Sequence, residues 1–202
     1  MQLNKLKKHS LVMNRRNALK NMGMAMGYAV ATPAVLSILQ SCKQEVSLAW
    51  VPEFFSLDEA KMIEGLVDLI IPKTDIPGAK ELNVAKFIDM YTNEVMNVEE
   101  GKQVKLNAAI TLNELGGADM SAEKYDALLA KYLKASQTEK EGFSEKENSA
   151  SSFVHRLRGM AVWGFKTSEE IGENVMAYDP VPGAFKGCES LEELTGGKAW
   201  SL

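Results

Sequence analysis

The stretch SEKENSASSFVHRLRGMAVWGF, residues 144–165, decides the fold class of this chain. It begins with Ser144 and Glu147 at the spacing of a capping box, in which each side chain bonds the backbone N–H of the other at a helix start. Small and apolar side chains then recur at helical intervals, at Phe153, Leu157, Met160, Ala161 and Gly164. Further apolar residues, Val162, Trp163 and Phe165, widen this face. The stretch therefore predicts a long helix, and the most buried one of the molecule.

The same helical spacing continues through most of the chain after residue 55. A second capping box at 56–59 starts a helix that Pro72 stops, and apolar stripes follow near 84–95, 100–115 and 121–133, with a short turn near 168–175. No stretch alternates in the manner of a strand. The fold class predicted is all-α, a compact bundle of five or six helices with an irregular C-terminal tail. The polar residues 134–148 are predicted to be a solvated loop.

The charge of the chain is unevenly distributed. The chain has 23 basic and 27 acidic residues, and residues 1–41 hold six of the basic ones and none of the acidic ones. Residues 42–202 therefore carry 17 basic against 27 acidic residues, a net charge of −10. A body this acidic repels nucleic acid, so we expect no nucleic-acid partner.

The basic N-terminal segment has the pattern of an export signal. Arg15 and Arg16 precede a mildly apolar stretch at 22–39, and Leu-Gln-Ser leads to Cys42. The arginine pair resembles a twin-arginine signal for folded proteins, and the cysteine resembles the acylated residue of a bacterial lipobox. We expect a periplasmic protein held on the membrane by lipid on Cys42. An uncleaved membrane anchor is the alternative, and Met13 is an alternative start.

The domain plan follows from these segments. Residues 1–41 are predicted to be the signal peptide, 42–55 a tether, and 56–202 a helical domain. The aromatic residues at the end of the tether, Trp50, Phe54 and Phe55, predict that this end docks on the domain.

Few residues of this chain suit catalysis or metal binding. It has only two cysteines and two histidines, which excludes a disulfide framework and a Cys/His zinc site, and it has neither a GxGxxG motif nor a P-loop. Ser151, Ser152 and His155 lie close in sequence but lack a third member of a triad. We therefore predict no catalytic, cofactor-binding or metal-binding residue. Cys188 is expected to be a small buried residue, with an intersubunit disulfide as the alternative.

A small basic spot stands out on the acidic body. His155, Arg156 and Arg158 are close together in the long helix. They are candidates to pair with acidic residues of a partner, or with Glu145 and Glu147 of their own helix region.

Two loops are unusually rich in proline and glycine. They are IPKTDIPGA at 71–79 and YDPVPGAFKGC at 178–188. Paired prolines stiffen a loop, and a stiff loop loses little entropy when it docks. The candidate partner-binding residues are Pro72, Thr74, Asp75, Pro77, Gly78, Tyr178, Asp179, Pro180, Pro182, Gly183 and Phe185. The alternative is that both loops only cover the ends of the bundle.

A family resemblance is strongest at these loops. The run IIPKTDIPGAKELNVAKFID, residues 70–89, resembles the signature of the gluconate 2-dehydrogenase subunit 3 family, and GFKTSEEIGENVMAYDPVPGAFKGC, residues 164–188, is similar to its C-terminal region. The resemblance implies a non-catalytic small subunit. Its implied partner is a large FAD-dependent dehydrogenase of the glucose-methanol-choline type, in some complexes with a cytochrome c. It further implies that this chain helps the flavoprotein to mature, escorts it folded across the membrane and tethers it there.

Two other functions remain open from the residues alone. The chain could be a stand-alone lipoprotein that binds a sugar or peptide, with Trp50, Trp163 and Trp200 as an aromatic platform. It could also be a lipoprotein hydrolase, built on the serines and histidine of the long helix.

Overall fold

A computed structural model describes residues 48–181, 183 and 187–201. The α-helices are α1 Leu57–Ile70, α2 Val84–Glu94, α3 Val98–Leu115, α4 Ala122–Leu133, α5 Gln137–Glu141, α6 Glu145–Lys166 and α7 Leu191–Thr195, with one π-helical segment at Glu170–Val175. Across these described residues the only β pairing is an isolated bridge between Ala177 and Trp200. The predicted all-α bundle is confirmed.

Helices α1 and α6 form the centre of the bundle. Each of them packs against α2, α3 and α4 as well as against the other. The inner face of α6 is completely or almost completely buried at Phe153, Val154, Leu157 and Ala161. A helix that touches four others must present apolar side chains over a wide arc, which is the pattern of residues 144–165.

The helix ends have the capping hydrogen bonds and the glycine stop that the sequence predicts. Ser56 and Ser144 each accept a hydrogen bond from the N3 backbone N–H, and the carboxylate of each N3 glutamate accepts one from the backbone N–H of the cap residue. Gly116 ends α3 in the left-handed region at φ 84°, where a side chain would be strained. These signals act within one turn, so the sequence alone is sufficient to place them.

The prediction of a solvated loop at 134–148 is wrong in its middle. Ser136 and Glu139 form a third capping box, which starts the short helix α5. The expected irregular tail likewise contains a helix, α7, capped by Ser190 and ended by Gly196. Polar composition concealed both helices, because neither has a buried residue.

The outer edge of α6 also differs from the prediction. Val162 and Trp163, which the sequence assigns to the buried face, are 40% and 41% exposed. The reason is geometric: α1 to α4 cover the side of α6 that carries Phe153 and Leu157. Val162 lies on the opposite side of the helix, and Trp163 lies at the edge of the covered side, beside α2. The helix therefore keeps an apolar strip on the surface.

Candidate functional site

The first proline loop, residues 71–79, is closed by its own backbone. The N–H of Ala79 donates to the carbonyl of Ile71 at 2.9 Å, and the N–H of Thr74 donates to the carbonyl of Ile76 at 3.1 Å. Ala79 is completely buried, so the end of the loop is fixed to the bundle. A loop with internal bonds and a buried end has a defined shape before any partner arrives.

The close packing of this loop requires a glycine at position 78. A Cβ added there would lie 2.5 Å from the backbone nitrogen of Lys73 and 2.8 Å from the carbonyl carbon of Pro72. Gly78 is one of the predicted partner-binding residues, and it is buried beneath the loop. Its role here is to let two backbone segments touch.

The exposed rim of the loop is Pro72, Lys73, Thr74 and Asp75. Pro77 is half-buried. Of the predicted partner-binding residues in this loop, Pro72, Thr74 and Asp75 are therefore accessible to a second protein.

Glu81 supports the loop from the residues that follow it. Its carboxylate accepts the N–H of Gly78 at 3.0 Å and lies 3.7 Å from the ammonium group of Lys73. The pKa of Glu81 is lowered, first by a hydrogen bond from its own backbone N–H, and further by the Gly78 N–H and the charge of Lys73. The exposed Glu81 carboxylate thus links the backbone of Gly78 to the side chain of Lys73.

The second proline loop leaves its described residues open to solvent. Tyr178 is 51% exposed, and Asp179, Pro180 and Gly183 are exposed as well. Pro182 and Phe185 lie outside the described residues. No hydrogen bond or ion pair joins the two proline loops within the described part of the chain, so they stand as two separate rims.

The segment after this loop pairs with Ala177, the residue that precedes the loop. The N–H of Ala177 donates to the carbonyl of Ala199 at 2.8 Å, and the N–H of Ser201 donates to the carbonyl of Ala177 at 2.8 Å.

The expectation that Cys188 is buried is wrong: this residue is an exposed free thiol, at φ 62°. Tail residues 187–200 have little of the bundle over them, so a cysteine there remains in solvent. The intersubunit disulfide stays a prediction.

The residues suggested for a hydrolase do not form a catalytic arrangement. Ser151 is buried, Ser152 and His155 are exposed, and no hydrogen bond joins either serine to the histidine.

Within residues 48–201, leaving aside those not described, no group of three or more His, Cys, Asp or Glu side chains could hold a metal ion. None of the described helices is both long and apolar enough to cross a membrane.

The three tryptophans suggested as a platform lie in different surroundings. Trp50 packs partly against the core, and Trp200 is 46% exposed on the tail. Trp163 instead contacts Phe87 and Tyr91, with ring centroids 5.1 and 5.0 Å away. No aromatic contact joins the tryptophans to one another among the described residues.

The sequence reasoning missed a buried carboxylate that docks the tether. Asp89 is 1% exposed and accepts three backbone N–H groups, from Glu53 at 2.7 Å, Phe54 at 3.2 Å and Phe55 at 2.9 Å. Lys105 covers the same turn, donating to the carbonyl of Phe54 at 2.5 Å. The sequence feature that could have indicated this contact is an acidic residue in the middle of the apolar stripe of α2. The predicted docking of the aromatic end of the tether is confirmed, with Phe55 4% exposed.

A second polar group joins three helices. Lys131 of α4 lies 2.9 Å from Glu114 of α3 and 2.8 Å from Glu147 of α6, and the hydroxyl of Tyr132 donates to Glu114 at 2.6 Å. Burial and the bond to Glu114 raise the pKa of Tyr132 to about 12. The hydrogen bond from Lys131, followed by those at the helix cap, lowers the pKa of Glu147 to about 2.

This network bears on the basic spot, which was expected to pair either with a partner or with Glu145 and Glu147. Glu147 forms its ion pair with Lys131 instead. No ion pair joins His155, Arg156 or Arg158 to a carboxylate in the described part of the chain.

Comparison with known proteins identifies a family for this chain. The family model described as gluconate 2-dehydrogenase subunit 3 matches residues 57–183, from the first residue of α1 through the first proline loop and into the second, as far as Gly183. Neither the search of curated proteins nor that of solved structures returned a match. The matched residues are more than half of the chain and include all of α1 to α6. The chain therefore belongs to the gluconate 2-dehydrogenase subunit 3 family.

Proposed function

We propose that this chain is a non-catalytic small subunit that binds a folded FAD-dependent sugar dehydrogenase of the glucose-methanol-choline type, assists its maturation, escorts it to the periplasm and tethers it to the membrane. The family match over 57–183 carries this proposal, because the family is that of a small subunit in a dehydrogenase complex. FAD belongs to the large subunit in this proposal, which also leaves room for a cytochrome c as a third subunit.

The shape of the first proline loop supports a binding role. Its rim at 72–75 is exposed, whereas its base is fixed by backbone bonds and by Glu81. A rim that is already ordered loses little conformational entropy on association, which favours binding.

The logic of export supports the escort role. A flavin is bound by a folded protein, so a flavoprotein loaded in the cytoplasm must cross the membrane folded. A twin-arginine signal at Arg15 and Arg16 would provide that route to a large subunit that has no signal of its own.

Co-expression with the large flavoprotein subunit tests the escort role. Replacing Arg15 and Arg16 with lysine is expected to abolish periplasmic flavoprotein, measured as FAD fluorescence and dehydrogenase activity in the periplasmic fraction. Replacing Asn17, the next residue along the chain, with glutamine is the matched control and is expected to change nothing. Full periplasmic flavoprotein in the Arg15→Lys/Arg16→Lys variant, or without this chain, contradicts the escort role.

The two cysteines separate export from tethering. Cys42→Ala is expected to leave export intact but to move the complex from the membrane to the soluble periplasmic fraction. Cys188→Ala, the matched control, is expected to leave the complex on the membrane. A complex that stays membrane-bound in Cys42→Ala contradicts lipid tethering through this residue.

A further inference from the structure

The outer face of α6 carries an open groove that the bundle does not fill. Its volume is about 390 Å³, and it is lined by His155, Arg158, Gly159, Val162, Trp163 and Lys166. These residues follow one another at helical spacing, so they form one continuous stripe. Gly159 sits in the middle, and nothing lies within 4 Å of the position that its Cβ would take. The stripe thus has a notch that allows another backbone to come close.

The aromatic end of the groove is supported by neighbouring rings. Trp163 is supported from the side of α2 by the rings of Phe87 and Tyr91, which themselves stack with centroids 6.1 Å apart. Gly164 allows this arrangement, because a Cβ there would lie 2.7 Å from the ring of Phe87. A tryptophan that is ordered in advance and 41% exposed has the character of an interface anchor.

The charge of the groove is opposite to that of the protein. Residues 42–202 have a net charge of −10, yet the ionisable groups that line the groove are His155, Arg158 and Lys166. Among the described residues, none of these three forms an ion pair with a carboxylate. A cationic stripe with an exposed aromatic residue complements a segment that is acidic and partly apolar.

We infer that this groove, here called the α6 groove, binds an acidic and partly apolar segment of the large dehydrogenase subunit. The inference rests on the proposed function and places a main contact on α6 in addition to the proline loops. The groove combines arginine and tryptophan, the residues that most often dominate binding energy at interfaces. An anionic membrane is a poorer occupant, since the remaining surface of the acidic body is repelled by anionic headgroups.

The affinity of the full chain for the purified large subunit tests this inference. Arg158→Glu reverses a charge at an exposed position and is expected to weaken binding at least tenfold. It is also expected to flatten the dependence of the dissociation constant on salt between 50 and 300 mM NaCl, since long-range charge attraction is screened by salt. Trp163→Ala is expected to weaken binding by a similar factor without changing the salt dependence. Thermal unfolding of each variant shows that the bundle is intact.

Lys140→Glu on α5 is the matched control for charge reversal. It is expected to bind within twofold of the wild type. If the wild-type chain binds the large subunit and both groove variants bind equally well, the inference is wrong while the proposed function stands. If the wild-type chain does not bind the large subunit, the proposed function fails and this inference fails with it. Unchanged large-subunit binding by Arg158→Glu, with loss of binding to phosphatidylglycerol vesicles, would make the groove a membrane contact and overturn the inference.

Discussion

Replacing Asp89 with asparagine should detach the end of the tether from the bundle. The buried carboxylate accepts three N–H groups, two on Oδ1 from Phe54 and Phe55 and one on Oδ2 from Glu53. Hydrogen bonds to a charged group contribute about 1.5–3 kcal/mol each and neutral ones about 1 kcal/mol. Asparagine keeps the two bonds to Oδ1 at neutral strength and turns an amide donor toward the third N–H. The expected loss is about 3 kcal/mol.

This loss should appear as local opening, because the tether makes few other polar contacts with the bundle. Hydrogen–deuterium exchange of the amides of residues 53–55 reports that opening directly. A loss of about 3 kcal/mol corresponds to exchange roughly 100-fold faster, at 1.4 kcal/mol for each factor of ten. Amides in the centre of α6 should exchange at nearly the wild-type rate, since α6 does not depend on Asp89.

The matched control is Asp126→Asn, an exposed aspartate of α4. It should leave exchange at residues 53–55 unchanged. The reasoning is refuted if Asp89→Asn exchanges within threefold of the wild type at these amides, because the carboxylate would then contribute no more than an ordinary surface group. Equal acceleration in both variants would also refute it.

Three further predictions concern packing and pH. Gly78→Ala should destabilise the protein by about 2 kcal/mol or more, since its Cβ would overlap backbone across the loop, and urea unfolding measures this; an unchanged midpoint contradicts the close approach. Gly164→Ala should destabilise the protein by about 1–2 kcal/mol, because the new Cβ would overlap the ring of Phe87 on α2. Gly159→Ala has open space before it and should stabilise the protein by up to about 1 kcal/mol. If thermal unfolding shows that both variants shift the stability in the same direction, the geometry is contradicted. The pKa of Glu147 is depressed to about 2 in the folded state, so its stabilising contribution is present above the unfolded value of 4.5 and is lost as pH falls toward 2. Urea midpoints from pH 6 to pH 2 should therefore fall less steeply in Glu147→Gln or Lys131→Met than in the wild type, and parallel curves would contradict the ion pair.

The helices were predictable because their signals are local. The capping box at Ser144 and the stop at Gly116 act within one turn, and the apolar repeat needs no knowledge of the partner helix. The same locality explains the error at α5, since a capping box without an apolar stripe was taken for loop. A turn in the first proline loop was also predictable from its Pro-Gly pair. The tight packing of Gly78 beneath it was not, because the backbone that it meets is brought there by the fold.

The sequence by itself determined that this chain is an all-α bundle, that its two proline loops resemble those of a dehydrogenase small subunit, and that its body is acidic. Only the tertiary structure decided which apolar residues stay on the surface. Val162 and Trp163 were predicted to widen the buried face of α6, and their exposure depends on where α1 to α4 lie. Likewise, Asp89 receives its N–H groups from residues 34 to 36 positions away. Such contacts arise from packing between distant segments, and no local pattern encodes them.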